Sequence, residues 1–227
     1  MQAKRLSLAI IAALPTMMCA QTPTAHSVPQ SPPAHDAVYI TAEEVKAVQK
    51  FEDTAATMDQ TLKDVNIGKL NVSVAVIHRA GPLKESLDGS VSILAHHEQT
   101  EVFLIIGGSG TMATGGTIYD AHETPTTAYM YTTLNGPTAS GKIKKGDGHR
   151  QVVHVGDIVV IPPDVAHGWE QIDEHVEYLS VRPDPDRALP SGYVNPILNG
   201  KPPDLAPGKG LDTPDPVTKS KPSGANH

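Results

Sequence analysis

The spacing of apolar residues is helical near the start of the chain and alternating along most of the rest. Thr41 and Glu44 form a capping-box pattern, and apolar residues then share one helical face (Val45 and Val48). Residues 55–65 continue the helical spacing with Met58, Leu62 and Val65. We therefore predict a short helical extension over residues 39–68.

Alternation begins at residue 69, where "NVSVAVIH" (71–78) sets one face of valines against another of mixed character. Similar short segments follow, separated by Gly, Pro and Asp turns: "SVSILAH", "TEVFLII", "GTMATGGTI", "TAYMYTTL", "GHRQVVHV", "DIVVIP" and "HVEYLSVR". Many short strands without intervening helices indicate an all-β sandwich or barrel. We assign this single domain to residues 69–182.

Both ends of the chain differ from this domain. Residues 1–20 have a basic start, an apolar run and small residues near Ala20, the layout of a signal peptide. We therefore expect a bacterial protein exported to the periplasm or secreted, with lipid attachment at Cys19 as an alternative. Residues 21–38 are predicted to be a disordered linker. Residues 183–227 contain ten of the twenty prolines and are predicted to be an extended tail. Four apolar or aromatic residues could anchor this tail to the domain or to a second subunit: Tyr193, Val194, Ile197 and Leu198.

The charge balance excludes one class of partner. The net charge is −7, and it becomes −9 without residues 1–20, which contain two cations and no anions. Because a surface this acidic repels phosphate backbones, we expect no nucleic-acid partner. No segment after the signal peptide has the roughly 20 apolar residues that a membrane-spanning helix needs, so we expect no other membrane contact.

The stretch "LAHHEQTEV" (94–102) contains the first candidate metal ligands. On a straight strand, His97 and Glu101 share a face but lie about 13 Å apart, at ~3.3 Å per residue, which is too far to bind one ion. A turn at residues 98–100 would bring both to one end of a barrel interior. His96 has the opposite strand parity, so we expect it to face outward unless the strand bulges there.

Two segments of the chain resemble the motifs of the cupin superfamily. The first cupin motif is a glycine, a His-any-His pair, a glutamate and a second glycine, and its matches here are Gly89, His97, Glu101 and Gly108. The second is a glycine, Pro-any-Gly, a histidine and an asparagine, and its matches are Gly156, Pro162 and His167. The resemblance implies a cupin double-stranded β-helix, which is a jelly-roll barrel, over residues 69–182.

The resemblance also implies a metal site, although three positions depart from the motifs. Ala95 replaces the first histidine, Asp164 the glycine after the proline, and Gln171 the final asparagine. The implied ligands of a divalent ion are His97, Glu101 and His167, with His96 as an additional ligand if the strand bulges. Such a set with open positions suits Mn, Fe, Zn, Ni or Cu, and it does not distinguish among them.

Four more residues are candidates for contact with a small-molecule substrate: His78, Trp169, Tyr178 and Arg182. Each has a structural alternative. His78 could be a core or rim histidine, Trp169 could fill the core, and the other two could be solvated at the edge of the last strand.

The sequence supports two functions. The first is a metal-dependent enzyme that acts on a small molecule in the barrel mouth, with oxygenase, isomerase and lyase chemistry left open. The second is a non-catalytic cupin that binds a sugar or an organic acid, or that serves as a structural dimer; Ala95 favours it, because a missing ligand is typical of a retired site. We also expect a homodimer.

Overall fold

The computed structural model describes residues 28–52 and 57–201. Its helices and strands are α1 (Ala42–Glu52), β1 (Thr57–Asn66), β2 (Asn71–Ala80), β3 (Val91–His96), β4 (Glu101–Thr114), β5 (Tyr119–Glu123), β6 (Thr138–Ile143), β7 (His149–His154), β8 (Ile158–Ile161) and β9 (His167–Asp184). A π-helical turn (Met130–Asn135) and a 3₁₀ helix (Pro196–Asn199) complete the fold. The all-β prediction is confirmed. Within the described part of the chain, no helix is long and apolar enough to span a membrane.

Two long strands, β4 and β9, shape the domain because each takes part in two sheets. The C-terminal half of β9 lies between β2 and the start of β4, and β1 and β8 flank this sheet. The N-terminal half of β9 lies between β3 and the end of β4, with β6, β5 and β7 further out. All pairings are antiparallel. Two sheets that share strands and enclose one core have the arrangement of a jelly-roll barrel.

The β2 strand is covered on both faces, which explains its nearly continuous apolar sequence. Ala75 and Ile77 face the barrel interior and pack in the main core with residues of β4, β8 and β9. Val76 faces the other way and packs against Val48 of α1 and Leu62 of β1. The predicted capping box that starts α1 is present, since Thr41 and Glu44 each bond the backbone N–H of the other.

The second half of the predicted helical extension is a strand. Residues 57–66 form β1, which pairs with β2 and has an irregularity at Leu62, where the register shifts between Thr61 and Lys63. This bulge places Leu62 against α1. The polar residues on either side of Leu62 lie on the face of the sheet that is directed into the barrel. Because the inward face of β1 is polar and the strand contains a bulge, apolar and polar residues do not alternate along it as they do in a regular strand. The spacing of its apolar residues therefore resembled that of a helix.

Segment "TAYMYTTL" was predicted to be a strand, and the structure places a π-helical turn there. Its β-branched and aromatic residues favour strands, but Met130 and Leu134, four positions apart, are both buried by the helical turn. Strands β5 and β6 were not predicted.

Both described end segments contact the domain. In the predicted linker, Gln30 Nε2 donates to the Leu189 carbonyl, and the Ser31 carbonyl accepts from Asn66 Nδ2. In the tail, Ile197 and Leu198 pack against the cluster around Val48, as the anchor prediction proposed. The signal peptide with Cys19 and the tail beyond residue 201 lie outside the described residues.

Candidate metal centre

The turn between β3 and β4 brings a histidine and a glutamate together. β3 ends at His96, the chain bends at residues 97 and 98, and β4 begins at Glu101. His96 Nε2 lies 3.2 Å from Glu101 Oε2, and both residues are buried. The predicted turn between the two strands is therefore present. Because the chain already bends at residue 97, His96 and not His97 is the last residue of the strand and faces the barrel interior.

The third member, His167, is the first residue of β9 and lies opposite Leu94 of β3. Its Nε2 lies 3.0 Å from the same Oε2 of Glu101. His96, Glu101 and His167 are 3%, 2% and 6% exposed, and one donor atom of each lies within 4.8 Å of the others. A single carboxylate oxygen thus faces two imidazole nitrogens in a site closed to bulk water.

The hydrogen-bond network assigns the same tautomer to both histidines. His167 Nδ1 lies 3.0 Å from the Val165 carbonyl, which can only accept, so Nδ1 carries the proton. His96 Nδ1 lies 2.9 Å from the Thr138 hydroxyl, whose own hydrogen is directed at the Asn135 and Gly136 carbonyls. His96 Nδ1 is then also the donor. Both Nε2 atoms therefore present lone pairs to Glu101.

Three lone-pair donors that converge in a buried place could hold a cation between them. Glu101 Oε2 has no hydrogen-bond partner in spite of the two nearby nitrogens, as expected if neither nitrogen carries hydrogen. Ligand atoms each ~2.1 Å from one ion, at angles of roughly 90° to 110°, are about 3.0 to 3.4 Å apart. The distances of 3.0 and 3.2 Å match this separation. The residues fit a divalent metal ion.

The other carboxylate oxygen of Glu101, Oε1, accepts hydrogen bonds on the side away from the two histidines. Arg182 Nε donates to Oε1 at 2.8 Å, and the Ser180 hydroxyl donates to the same atom at 2.9 Å. Arg182 is fully buried, and its remaining nitrogens bind the Leu134 carbonyl at 2.9 Å and Asp59 Oδ2 at 2.6 Å. These contacts orient the carboxylate so that Oε2 faces the histidines.

The local electrostatics favour the metal-binding protonation states. Burial acts to raise the pKa of Glu101, but the positive charges around it, on His96 in its protonated form and on the Arg182 guanidinium, outweigh burial and hold that pKa well below its usual range. Burial lowers the pKa of His96, and the neighbouring Glu101 opposes this only in part. An ionised carboxylate and a neutral imidazole are the forms that bind a cation.

The structure differs from the expectation for the two adjacent histidines. His97 points out of the barrel, with Nδ1 2.6 Å from Asp164 Oδ1 and Nε2 3.0 Å from Glu123 Oε2. The hydrogen bond with the Asp164 carboxylate raises the pKa of His97, and partial burial opposes this rise. His96 reaches the site without a register shift in the pairing of β3 with β6. Because His96 ends its strand just before a bend, strand parity did not determine which histidine faces inward.

Asp164 and Ala95 show what two of the motif departures do. Asp164 stands where the cupin motif has glycine, and its φ is 61°, a left-handed conformation that suits glycine. Its backbone N–H donates to the His96 carbonyl at 2.8 Å. Ala95 is 2% exposed and opposite Ala139, so it contributes to packing at the position of the absent histidine.

Three of the predicted substrate-contact residues lie in the barrel core. Trp169 and Tyr178 belong to the main hydrophobic cluster, with ring centroids 5.7 Å apart, and the Tyr178 hydroxyl accepts from Arg79 Nε at 3.0 Å. Arg182 lies behind Glu101, as described above. Tyr178 and Arg182 are both 2% exposed, so neither is solvated at a strand edge. The core alternative for Trp169 agrees with this placement.

His78 lies away from the candidate metal centre. Its parity on β2 is that of Val76, so it faces α1 and not the barrel interior. Its Nδ1 lies 3.2 Å from Glu177 Oε1, and Gln49 of α1 donates to the other oxygen of the same carboxylate. The contacts of His78 are thus those of a histidine at the rim, under the helical extension.

Five further polar residues are buried beside the site, and the sequence analysis missed them. We call Thr61, Asp64, Ser73, Gln99 and Asn135 the interior polar set; each is 1% to 3% exposed. Their side chains contribute seven nitrogen or oxygen atoms that lack a hydrogen-bond partner within the described chain. The polar alternation of Asp59 and Thr61 in β1 was a signal for such an inward polar face.

This number of unpartnered atoms is too large for a dry interior. Leaving one buried polar group unsatisfied costs about 1 to 3 kcal/mol. Seven such groups would cost roughly as much as the whole stability of a typical domain, about 5 to 15 kcal/mol. We therefore expect the interior polar set to be solvated by groups from outside the described chain, such as water or a polar ligand.

Comparisons with known proteins give structural likenesses only. No family model matches the chain, and no curated protein matches it. Similar solved structures include a cupin-2 domain from Rhodospirillum rubrum, with a TM-score of 0.34, 14% identity, and coverage of 57% of this chain and 60% of that one. An oxalate oxidase structure has a TM-score of 0.36 and 16% identity, with coverage of 60% of this chain and 55% of that one.

A third likeness is to the DMSP lyase DddQ from Ruegeria pomeroyi, with a TM-score of 0.31, 12% identity, and coverage of 51% of this chain and 39% of that one. The chain thus spans less than two thirds of the length of each of these structures. Because all three TM-scores are below 0.5, the fold described above rests on the chain's own strand pairing.

Proposed function

We propose that the protein is a metal-dependent enzyme that acts on a small molecule at the end of the barrel. His96, Glu101 and His167 hold a divalent ion, and the open coordination positions accept the substrate. The observation that carries the proposal is the approach of two imidazole Nε2 lone pairs to one unpartnered oxygen of Glu101, at 3.0 and 3.2 Å. The ligand set suits Mn, Fe, Zn, Ni and Cu and does not distinguish among them.

The chain's own residues prepare the site for chemistry. A divalent ion would supply Lewis acidity that polarises an oxygen of the substrate. Thr138 and the Val165 carbonyl fix the histidine tautomers, and Arg182 and Ser180 fix the carboxylate. Burial of all three ligands limits water around the reacting atoms and so strengthens electrostatic interactions there.

The adjacent histidines offer a matched experiment. Protein purified without chelator is analysed for metal by plasma mass spectrometry, as wild type and as His96→Ala, His167→Ala and His97→Ala variants. We expect about one ion per chain in the wild type and in His97→Ala, and none in the other two. Equal metal content in His96→Ala and His97→Ala would contradict the site, and no metal in the wild type would exclude the enzyme.

A non-catalytic cupin that binds a small ligand is the second candidate, and Ala95 favours it. The position that carries the first histidine in the cupin motif is occupied here by a buried methyl group. Mass spectrometry of the purified protein distinguishes the two candidates. A small molecule that co-purifies unchanged with metal-free protein supports the binding module, whereas a metal-loaded protein that converts its co-purified compound supports the enzyme.

A further inference from the structure

Two members of the interior polar set share a row of the sheet with Arg182. Ser73 is directly opposite Arg182 in the pairing of β2 with β9, and Asp64 is directly opposite Ser73 in the pairing of β1 with β2. Residues opposite each other in this way have Cβ atoms about 4.5 to 5.5 Å apart. Asp64, Ser73 and Arg182 therefore form one row across the inner face of the sheet.

The other three members each neighbour a group that Arg182 contacts. Thr61 is two residues from Asp59, which accepts from Arg182. Asn135 follows Leu134, whose carbonyl accepts from Arg182, and its own carbonyl accepts from Thr138, the partner of His96. Gln99 lies two residues before Glu101 in the turn that carries His96. The set thus extends from the sheet floor to the candidate metal centre.

We propose that the interior polar set binds a neutral polyhydroxy compound, a small polyol or sugar, as the substrate class of this site. The inference rests on the proposed function, because Asn135 and Gln99 of this set are close in sequence to groups that bind or carry the candidate metal ligands His96 and Glu101. Each hydroxyl of such a compound can donate one hydrogen bond and accept others, so one ligand could serve carboxyl, amide and hydroxyl groups together.

The chemistry of the unpartnered atoms favours hydroxyls over a carboxylate. Asp64, Gln99 and Asn135 supply carboxyl or amide oxygens, which need hydrogen donors, and Thr61 and Ser73 supply hydroxyls. The Gln99 amide nitrogen is the set's one obligate donor among these atoms. A carboxylate ligand can only accept, so it would leave the amide oxygens of Gln99 and Asn135 unpartnered, whereas a hydroxyl can donate to them.

The charge of the region favours a neutral ligand over an amine. The Arg182 guanidinium lies at the centre and is paired with Asp59 and Glu101. An ammonium group would satisfy the acceptor oxygens, but it would lie beside a buried guanidinium and a metal ion, both positive. A buried ammonium would be repelled by the guanidinium and by the metal ion, because like charges repel strongly where water is excluded.

Three four-carbon probes separate these chemistries: erythritol, succinate and putrescine. Each is titrated calorimetrically into the full-length protein, and the metal content of the same sample is measured. We expect saturable binding of erythritol only. Saturable binding of succinate or putrescine without erythritol would overturn the polyol inference, as would no binding of any probe by metal-loaded protein, which would leave water as the partner of the set.

Two truncations test whether the set itself makes the contacts. Ser73→Ala and Asn135→Ala remove a hydroxyl and an amide oxygen that have no hydrogen-bond partner among the described residues, so both variants should fold, as checked by thermal unfolding. Each should weaken erythritol binding about 5-fold or more through the loss of a hydrogen bond, without loss of metal. The matched controls Ser92→Ala and Asn199→Ala change exposed residues and should leave erythritol affinity unchanged.

The same measurements keep the two proposals apart. Metal-free protein that still binds erythritol would remove the enzyme and leave the polyol site. Metal-loaded protein whose erythritol affinity is the same in Ser73→Ala, Asn135→Ala and the controls would leave the metal centre and overturn the assignment of the interior polar set.

Discussion

Arg182 fixes the orientation of Glu101 from the side opposite the histidines. The guanidinium Nε lies 2.8 Å from Oε1, and both side chains are 2% exposed. The same guanidinium also reaches Asp59 on β1 at 2.6 Å. Arg182 therefore connects β4, which carries the candidate ligand Glu101, with β1, which lies outside the barrel domain predicted over residues 69–182.

The Arg182→Lys variant tests this support. Lysine keeps the positive charge, but one compact ammonium cannot reach Glu101, Asp59 and the Leu134 carbonyl together. We expect metal affinity to fall about 10- to 100-fold, the range found when a group that orients a ligand is lost. Affinity is measured by competition with a chelator. Arg150→Lys, at a pair with Glu170 on another part of the sheet, is the control, and equal affinity in both variants would contradict the role.

Gly168→Ala tests the close approach of two strands beside His167. A Cβ at residue 168 would clash with the Ser92 carbonyl oxygen, so β9 must move away from β3. Overpacking of this kind costs about 1 to 3 kcal/mol, and the displaced His167 should bind metal more weakly. The comparison is Gly146→Ala, where a Cβ meets nothing within 4 Å and the positive φ of 76° costs stability at a site away from His167. Metal titration of both variants should show a loss only in Gly168→Ala.

The sequence predicted that two distant segments meet, but not which of two adjacent histidines enters the site. Alternation identified the strands that contain Glu101 and the motif that ends at His167, because buried faces repeat every second residue. The inward position of His96 depends on a bend that begins at residue 97. A shift of one residue in that bend exchanges His96 and His97, and no periodicity extends into a turn to specify it.

The positions of the apolar residues alone did not predict the polar interior, although the alternation of Asp59 and Thr61 carried a signal for it. Strand β1 points Asp59, Thr61 and Asp64 toward the barrel and Leu62 toward α1, so its apolar residue faces away from the main core. Sequence methods assume the reverse. Only the packing of α1 outside the sheet makes this inversion stable, and that contact joins residues far apart in the chain.

Tyr178→Phe should have little effect on the candidate metal centre. The ring lies in the core 4.4 Å from the Phe103 ring, centroid to centroid, and its hydroxyl accepts from Arg79. Removing the hydroxyl keeps the packing and leaves Arg79 Nε without that acceptor, so we expect a loss of about 1 to 3 kcal/mol in the free energy of unfolding. Urea denaturation measures this loss. A fall in metal content in the folded variant would show that Tyr178 supports the site after all.

The buried Asp64 carboxyl should make stability depend on pH. Burial raises its pKa from 3.8 to about 7, against the opposing effects of the nearby Ser73 hydroxyl and the Arg182 charge. Between about pH 4 and pH 7 the folded protein keeps this proton and the unfolded chain has lost it. Folding then takes up a proton, so the free energy of unfolding falls by about 1.4 kcal/mol for each pH unit and levels off above the folded pKa.

Asp64→Asn removes this titration and isolates its contribution. From pH 5 to pH 8 the variant should gain about 2 to 3 kcal/mol in the free energy of unfolding relative to the wild type, because only the wild type loses its buried proton over that interval. Urea denaturation at unit pH steps measures both proteins. Asp173→Asn changes an exposed carboxylate and should follow the wild type throughout. If the Asp64→Asn and wild-type curves run parallel from pH 5 to pH 8, the carboxyl is already ionised in the folded protein and a donor from outside the chain must stabilise it.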